Sequence, residues 1–362
     1  MANRTYLDWN ATTPLRAEVR AAMIAAMDIV GNPSSVHGEG RAAQKLLSDA
    51  REKLGFWLGC LPQMITFTSG GTEANNMAIR GVAVERILVS AVEHHSVLAA
   101  AKAGAKAVEI IPVDKFGRVD LVTLEKMLVG SKALVSVMIA NNETGVIQLV
   151  NEIAPLVHAA GSLLHVDAVQ AVGKRQLNFG LLGVDMMTVA AHKIGGPTGI
   201  GALIIRDGLV VVPLLHGGGQ ELRRRAGTEN LVNIAGFAAL ADEPQLDTYE
   251  LTDKLEAALE NVMIFSDGVE RLCNTTNFAM PGMNAETLLM NFDLEGVAVS
   301  SGSACSSGKV AASHVLSAMG VSPELSKAAI RISLGWNTTA QDVEYFISAW
   351  RKISKRHQSK AA

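Results

Sequence analysis

A chain of 362 residues, 49% of them hydrophobic, is long enough to bury a large core and to form two or more domains. Its 32 basic residues nearly balance 35 acidic ones, which argues against nucleic acid or anionic membrane as partner and favours a small-molecule substrate. The longest apolar runs, such as residues 133–140, fall far short of the roughly 20 residues that cross a bilayer, and residues 1–10 lack the apolar centre of a secretion signal, so a cytoplasmic protein is expected.

From the amino terminus, Leu15, Val19, Met23, Met27 and Val30 repeat at helical spacing, and Ala43, Leu46, Leu47, Ala50, Leu54 and Trp57 do so again. Two helices are therefore expected to open the main body. Seven short β-rich runs follow, alternating with helical stretches: 65–69, 86–91, 107–113, 133–140, 163–168, 186–191 and 202–206. This alternation predicts an α/β sheet. Because the runs are apolar on both faces, the sheet should be mostly parallel and covered by helices on both sides. A helix around 234–240 gives way to the polar stretch Glu243-Pro244-Gln245-Leu246-Asp247, which places a domain boundary between 242 and 249. The remainder reads as α+β, with a helix at 251–259, a glycine- and serine-rich loop at 300–308, an apolar strand at 329–334 and a closing helix at 341–355.

In open α/β sheets, ligands bind outside the carboxyl ends of the strands, and here those ends are polar. The first strand leads into Ser69-Gly70-Gly71-Thr72-Glu73-Ala74-Asn75-Asn76. Glycines there let the backbone approach an anion, and the helix start offers free N–H groups to a phosphate, although a plain strand-to-helix turn explains the segment equally well. Glu93-His94-His95 ends the second strand, Asn141-Asn142-Glu143-Thr144-Gly145 the fourth and His165-Val166-Asp167-Ala168-Val169-Gln170 the fifth. Asp167 is either a helix cap or a carboxylate for a protonated ring nitrogen. Lys193, in Ala191-His192-Lys193-Ile194-Gly195-Gly196-Pro197, is either a solvated turn residue or a desolvated amine able to form a Schiff base. An aspartate for a pyridinium nitrogen, a lysine for a Schiff base and a Gly-Thr helix start for a phosphate are together the requirements of pyridoxal 5'-phosphate. The other glycine strings follow neither the P-loop nor the dinucleotide pattern. His37, His94 and His95 lack metal-ligand spacing, so no resident metal is expected.

The three cysteines form no CxxC pair, which argues against a disulfide framework. Cys60 and Cys273 lie beside apolar stretches and read as ordinary buried thiols. Cys305 lies in Ser300-Ser301-Gly302-Ser303-Ala304-Cys305-Ser306-Ser307-Gly308, a segment that cannot pack a core. It is expected to be exposed and reactive. Arg331, the one charge in the run Ala329-Ile330-Arg331-Ile332-Ser333-Leu334, needs an anion. An internal salt bridge and a bidentate substrate carboxylate are both open.

With these residues assembled, the chain resembles the cysteine desulfurases of the NifS/IscS type, within the aminotransferase class V family, over nearly its whole length. The resemblance extends to Tyr6-Leu7-Asp8-Trp9-Asn10-Ala11-Thr12-Thr13-Pro14, Gly31-Asn32-Pro33-Ser34-Ser35-Val36-His37, Gly217-Gly218-Gly219-Gln220-Glu221 and Arg225-Ala226-Gly227-Thr228-Glu229-Asn230. It implies fold type I of the pyridoxal-phosphate-dependent transferases. A large domain at 14–245 would hold a mostly parallel seven-stranded sheet, and a smaller α+β domain, made of 1–13 and 246–362, would carry the Cys305 loop and Arg331.

The resemblance also implies roles. Lys193 matches the cofactor-binding lysine, Asp167 the partner of the ring nitrogen, and His94 the imidazole stacked on the ring and used in proton transfer. Gln170 and Asn142 match residues near the ring oxygen and the substrate. Gly71, Thr72 and His192 match phosphate contacts, and Thr228 matches a phosphate contact from the neighbouring subunit, which implies a homodimer. Arg331 matches the arginine that binds the substrate carboxylate. Cys305 matches the nucleophile that takes sulfur from L-cysteine as a persulfide and passes it to an acceptor such as an iron–sulfur scaffold, where it would also serve as a transient iron–sulfur ligand. One departure is Ala190, where the family often has a hydroxyl residue. A phosphate hydrogen bond worth about 1 kcal/mol is expected to be missing there. A class V aminotransferase, a selenocysteine lyase and a non-enzymatic iron–sulfur scaffold are the rival readings.

Overall fold

The computed structural model describes residues 4–301 and 312–361, so Cys305 lies outside the described residues. A short strand β1 (Thr5–Tyr6) precedes helices α1 (Ala17–Met27) and α2 (Gly38–Leu58). The main alternation then runs β2 (Ile65–Thr68), α3 (Gly71–Gly81), β3 (Arg86–Ser90), α4 (His95–Lys102), β4 (Ala107–Ile111), α5 (Leu121–Met127), β5 (Ala133–Met138) and α6 (Val150–Ala159). It continues through β6 (Leu163–Asp167), α7 (Phe179–Leu182), β7 (Met186–Ala190), β8 (Gly201–Ile205) and α8 (Leu231–Ala239). The last third holds α9 (Tyr249–Ala257), β9 (Met263–Ile264), β10 (Thr275–Ala279), α10 (Ala285–Leu294), β11 (Val297–Ala298), α11 (His314–Ala318), α12 (Pro323–Lys327), β12 (Ala329–Ser333) and α13 (Ala340–Ala361).

All seven predicted strands fall in one sheet, in the order β2-β8-β7-β6-β5-β3-β4. The pairs β3 with β4, β3 with β5, β5 with β6 and β6 with β7 are parallel, while β8 runs antiparallel to both β7 and β2. The reversal at β8 has a simple cause. Only residues 191–200 separate β7 from β8, too few for the crossover that a parallel pair needs.

Successive residues of the central strands feed opposite faces. Val135 and Ile204 join Leu54, Leu58 and Phe237 on one side, while Leu134 and Leu203 join Met77 and Ile79 on the other. Both faces are thus buried, as the continuous apolar runs predict. The expectation fails at β4, the sheet edge, where Ala107 is exposed and Ile110 is 46% exposed. An edge strand has a neighbour on one side only, so covering elements need not close over it.

A second apolar core gathers Phe278, Phe292, Phe346 and Trp350 around the antiparallel sheet β12-β10-β9. Leu7 belongs to this core and β1 pairs with β11, so the amino-terminal segment is tied to the last third of the chain. From there it runs back to the large sheet, where Thr13 N–H donates to the His192 carbonyl at 3.0 Å. The closing helix α13 reaches Ala361, six positions past its expected end at 355.

Candidate active site

Five strand ends of the large sheet, with the amino-terminal segment and β12, line a cavity of about 410 Å³. Gly71 and Thr72, at the start of α3, form one part of its wall, and His94, after β3, another. Asn142, Asp167 and Gln170 come from beyond β5 and β6, His192 and Lys193 from the turn after β7, and Arg331 from β12. Of the predicted site residues, Thr228 is exposed and does not line this cavity of its own chain, and Cys305 lies outside the described residues.

The α3 entrance suits an anion. Its N-cap is Gly70 at φ 150°, a conformation open to glycine, with no side-chain cap. The first N–H groups of the helix, which lack intrahelical partners, are therefore not taken by a cap. Gly71 cannot carry a side chain cheaply, because a Cβ there would meet Val169 Cγ2 at 2.9 Å. Ala190 presents a methyl to the cavity, in keeping with the missing hydroxyl.

Asp167 is 5% exposed. One carboxylate oxygen accepts from Asn75 Nδ2 at 2.8 Å, and the other accepts from the Val169 N–H at 2.9 Å. Asp167 thus caps a local turn and also lines the cavity. Asn75 Nδ2 also donates to Ser96 Oγ at 2.9 Å, and Ser96 Oγ lies 2.8 Å from His94 Nδ1. The Ser96 N–H donates to the same ring nitrogen at 3.1 Å. Nδ1 is thus the acceptor, which leaves the proton of the neutral ring on Nε2. Burial pushes the His94 pKa down, with Asp167 opposing and the nearby cations reinforcing, so neutral imidazole is the resting form. Burial likewise holds His192 down at about 4.

Lys193 donates to the carbonyls of Asn10 at 2.8 Å and Ala11 at 2.7 Å. Burial pushes its pKa down to about 8, and Arg331 pushes the same way against Asp8 and Asp167. The sign is that of a cation penalised by desolvation, so the free amine, the nucleophilic form, appears above about 8 rather than above 10.5. We expect the rate of cofactor loading onto cofactor-free protein to rise with pH to a plateau, with a midpoint near 8. Stopped-flow absorbance would check this, and a midpoint at the value of a solvated lysine would show that burial does not activate the amine.

Arg331 is 4% exposed. Its Nη2 donates to Asp8 Oδ1 at 2.6 Å and its Nη1 to the Asn142 carbonyl at 2.9 Å, while its buried Nε has no partner among the described residues. The internal salt bridge therefore exists, and Arg331 also lines the cavity. Cys273 is buried as expected, and Cys60 is half-buried with a thiol pushed up to about 12 by desolvation. Neither thiol lines the cavity.

The residues that sequence reasoning missed are Asp8, Asn10, Asn75 and Lys174. Asn75 had a signal: three positions after Thr72, it is a polar side chain on the buried face of α3. Asp8 and Asn10 had none beyond membership of a quoted segment, since their partners lie far away in sequence, and Lys174 lay outside every quoted segment.

The sequence pattern of the aminotransferase class-V family matches residues 5–346. The chain belongs to that family. Among its class V relatives, the cysteine desulfurase IscS of Dictyoglomus turgidum is 41% identical over 378 residues, covering 98% of this chain and 96% of the relative. A solved NifS-like protein from Rickettsia africae superimposes with a TM-score of 0.89 at 38% identity, over 98% of this chain and 100% of the other. A solved structure described as SspA in complex with cysteine gives a TM-score of 0.82 at 29% identity, over 91% of this chain and 98% of the other. Class V enzymes of this type use pyridoxal 5'-phosphate. The cavity fits that group, with uncapped helix N–H groups for a phosphate, a carboxylate at Asp167 for a ring nitrogen and a depressed amine at Lys193 for the aldehyde.

Proposed function

We propose that this protein removes sulfur from L-cysteine with the help of pyridoxal 5'-phosphate, leaving L-alanine and a persulfide on Cys305. The observation that carries this reading is where the cysteine segment departs. Ser300 lines the cavity and is paired through its backbone with Arg331, and Cys305 follows Ser300 by five positions. A thiol tethered that closely can reach a substrate held at Arg331. Relatives named as cysteine desulfurases and one solved in complex with cysteine support the choice of substrate.

The chain's own residues then have these roles. Arg331, which lines the cavity, grips the substrate carboxylate with its guanidinium. Lys193, freed as an amine, takes the α-proton. When bound, the cofactor supplies an electron sink for the carbanion, and Asp167 keeps its ring nitrogen protonated. The Cys305 thiolate attacks the substrate sulfur: a sulfur–sulfur bond forms, the carbon–sulfur bond breaks, and its electron pair stays with the substrate carbon. Two protons complete alanine: the substrate thiol gives up its own as the sulfur leaves, and His94 Nε2 relays it to the β-carbon, while Lys193 returns to the α-carbon the one it took. Gly71, Thr72 and His192 hold the phosphate, and Gln170 and Asn142 face the ring oxygen and the substrate.

The decisive assay is product analysis from L-cysteine with a reductant present. Equal yields of alanine and sulfide support the reading, while formation of a keto acid would replace it with transamination. We also read the chain as a cytoplasmic homodimer in which Thr228 serves the partner's phosphate site, with residues 14–245 as the large domain and 1–13 with 246–362 as the small one. Sedimentation at the mass of one chain would exclude the dimer. The described residues include no helix long and apolar enough to cross a membrane. A sulfur-accepting protein is the expected partner.

The Asp8 pair makes a further prediction. Asp8→Asn leaves the Arg331 charge buried without its anion, which should cost the ligand-free protein about 2 kcal/mol, the worth of a hydrogen bond to a charged group. A carboxylate ligand then restores the missing anion. L-alanine should accordingly raise the melting temperature of the variant more than that of the wild type. Equal shifts in thermal melts would show that Asp8 and the ligand do not compete for Arg331.

A further inference from the structure

Lys174 is 4% exposed and lies behind the wall of the cavity. Among the described residues its ammonium forms no ion pair. It donates only to two neutral oxygens, Asn10 Oδ1 at 2.7 Å and Gln170 Oε1 at 2.8 Å. Lysine is seldom fully buried, and a buried charge without a counter-ion is costly. The titratable groups that act on it are Lys193, Arg331 and Cys273. Burial, Lys193 and Arg331 depress its pKa to about 7, and Cys273 opposes them.

The two bonds fix something that Gln170 cannot fix for itself. A glutamine amide can be turned end for end with little change in shape. Here its oxygen faces the ammonium and its Nε2 donates to the Asn10 carbonyl at 3.0 Å. Turning it would set NH₂ against NH₃⁺ and oxygen against oxygen. The amide is held one way round, and the second N–H on Nε2 has no partner among the described residues, while Gln170 lines the cavity. The Asn10 side chain, held by the same ammonium, belongs to the residue whose carbonyl accepts from Lys193.

We propose that Lys174 is a positioning residue that locks the Gln170 amide with its N–H edge toward the cavity, so that a hydrogen-bond donor is presented to the ring oxygen of the cofactor. The inference rests on the placement of Gln170 beside that oxygen. A donor held there draws negative charge off the oxygen and loosens the proton on the nitrogen next to it. The absorbance of the bound cofactor reports that proton, so losing the donor raises the pH midpoint of the spectral change.

The test uses the cofactor-loaded enzyme and reads this midpoint. Lys174→Met and Gln170→Leu should each raise it by about one pH unit, the worth of one hydrogen bond, and the double variant should go no further. Lys174→Gln removes the charge but keeps an N–H for the Gln170 oxygen, and should stay near the wild-type midpoint. If Gln170→Leu moves the midpoint and Lys174→Met does not, the role of Lys174 falls and the placement of Gln170 stands. If Gln170→Leu has no effect, the placement itself falls and the inference with it. A Lys174→Gln shift as large as that of Lys174→Met would show that charge, not position, is what Lys174 contributes. Lys174→Met is close in shape and removes a costly buried charge, so the fold should survive it. Lys174→Ala, read in the same way, serves should the Met chain fail to fold.

Discussion

Cys305→Ala should take up its cofactor as the wild type does and lose turnover of L-cysteine on the order of 10³-fold or more, since no other described thiol is placed to substitute. Cys60 is half-buried with a thiol pushed up to about 12, Cys273 is buried, and neither lines the cavity. Mass spectrometry of the wild type after exposure to L-cysteine should find one added sulfur, on the peptide containing Cys305, and none in the variant. The partition of the loss matters as much as its size. Binding of substrate depends on Arg331, so the concentration giving a half-maximal spectral change should be little altered. Full turnover by the alanine variant would sink the persulfide mechanism and return the chain to the transaminating members of its family.

Lys193→Ala should have the other large effect, of a different kind. The variant loses the amine that anchors the cofactor and the base that moves the α-proton, so turnover should fall by on the order of 10⁴-fold. Cofactor should then leave on gel filtration, whereas the wild type keeps it. The Asn10 and Ala11 carbonyls lose their donor, and the cationic repulsion between Lys193 and Arg331 disappears. Adding a small primary amine should restore part of the rate, because proton transfer needs a base and not a tether. A Lys193→Ala chain that retains cofactor through gel filtration and turns over normally would remove Lys193 from the mechanism.

The large sheet was legible because parallel strands buried on both faces leave an unmistakable trace: Ala133–Met138 is buried throughout and, Ser136 apart, apolar without alternation. The small sheet was legible only in β12, which falls within the expected strand at 329–334. In β10, Thr275, Thr276 and Asn277 are all fully buried, yet each is polar. They are tolerated because Thr276 Oγ1 donates to Glu256 Oε1 and Asn277 Nδ2 to the Glu143 carbonyl, partners that a local pattern cannot reveal. The end of α13 was missed for the opposite reason. Beyond 355 it carries no apolar stripe, only residues that helices accept. In the site, residues at strand ends were readable from position alone. Asp8 was not, because its meaning depends on Arg331, 323 residues away.

That separation also sets an order of events in the making of the protein. Residues 5–13 leave the ribosome well before residues 297–333, yet Thr5 pairs with Val297, Asp8 with Arg331 and the Asn10 N–H with Ser333 Oγ. At typical synthesis rates the amino-terminal segment waits on the order of half a minute for these partners. Within that interval the seven strands of the large sheet are made, and Asp167 and Lys193 with them, before the Asn10 and Ala11 segment is fixed by its late partners. The cavity wall that Asn10, Ala11 and Arg331 supply is therefore the last part of the site to close.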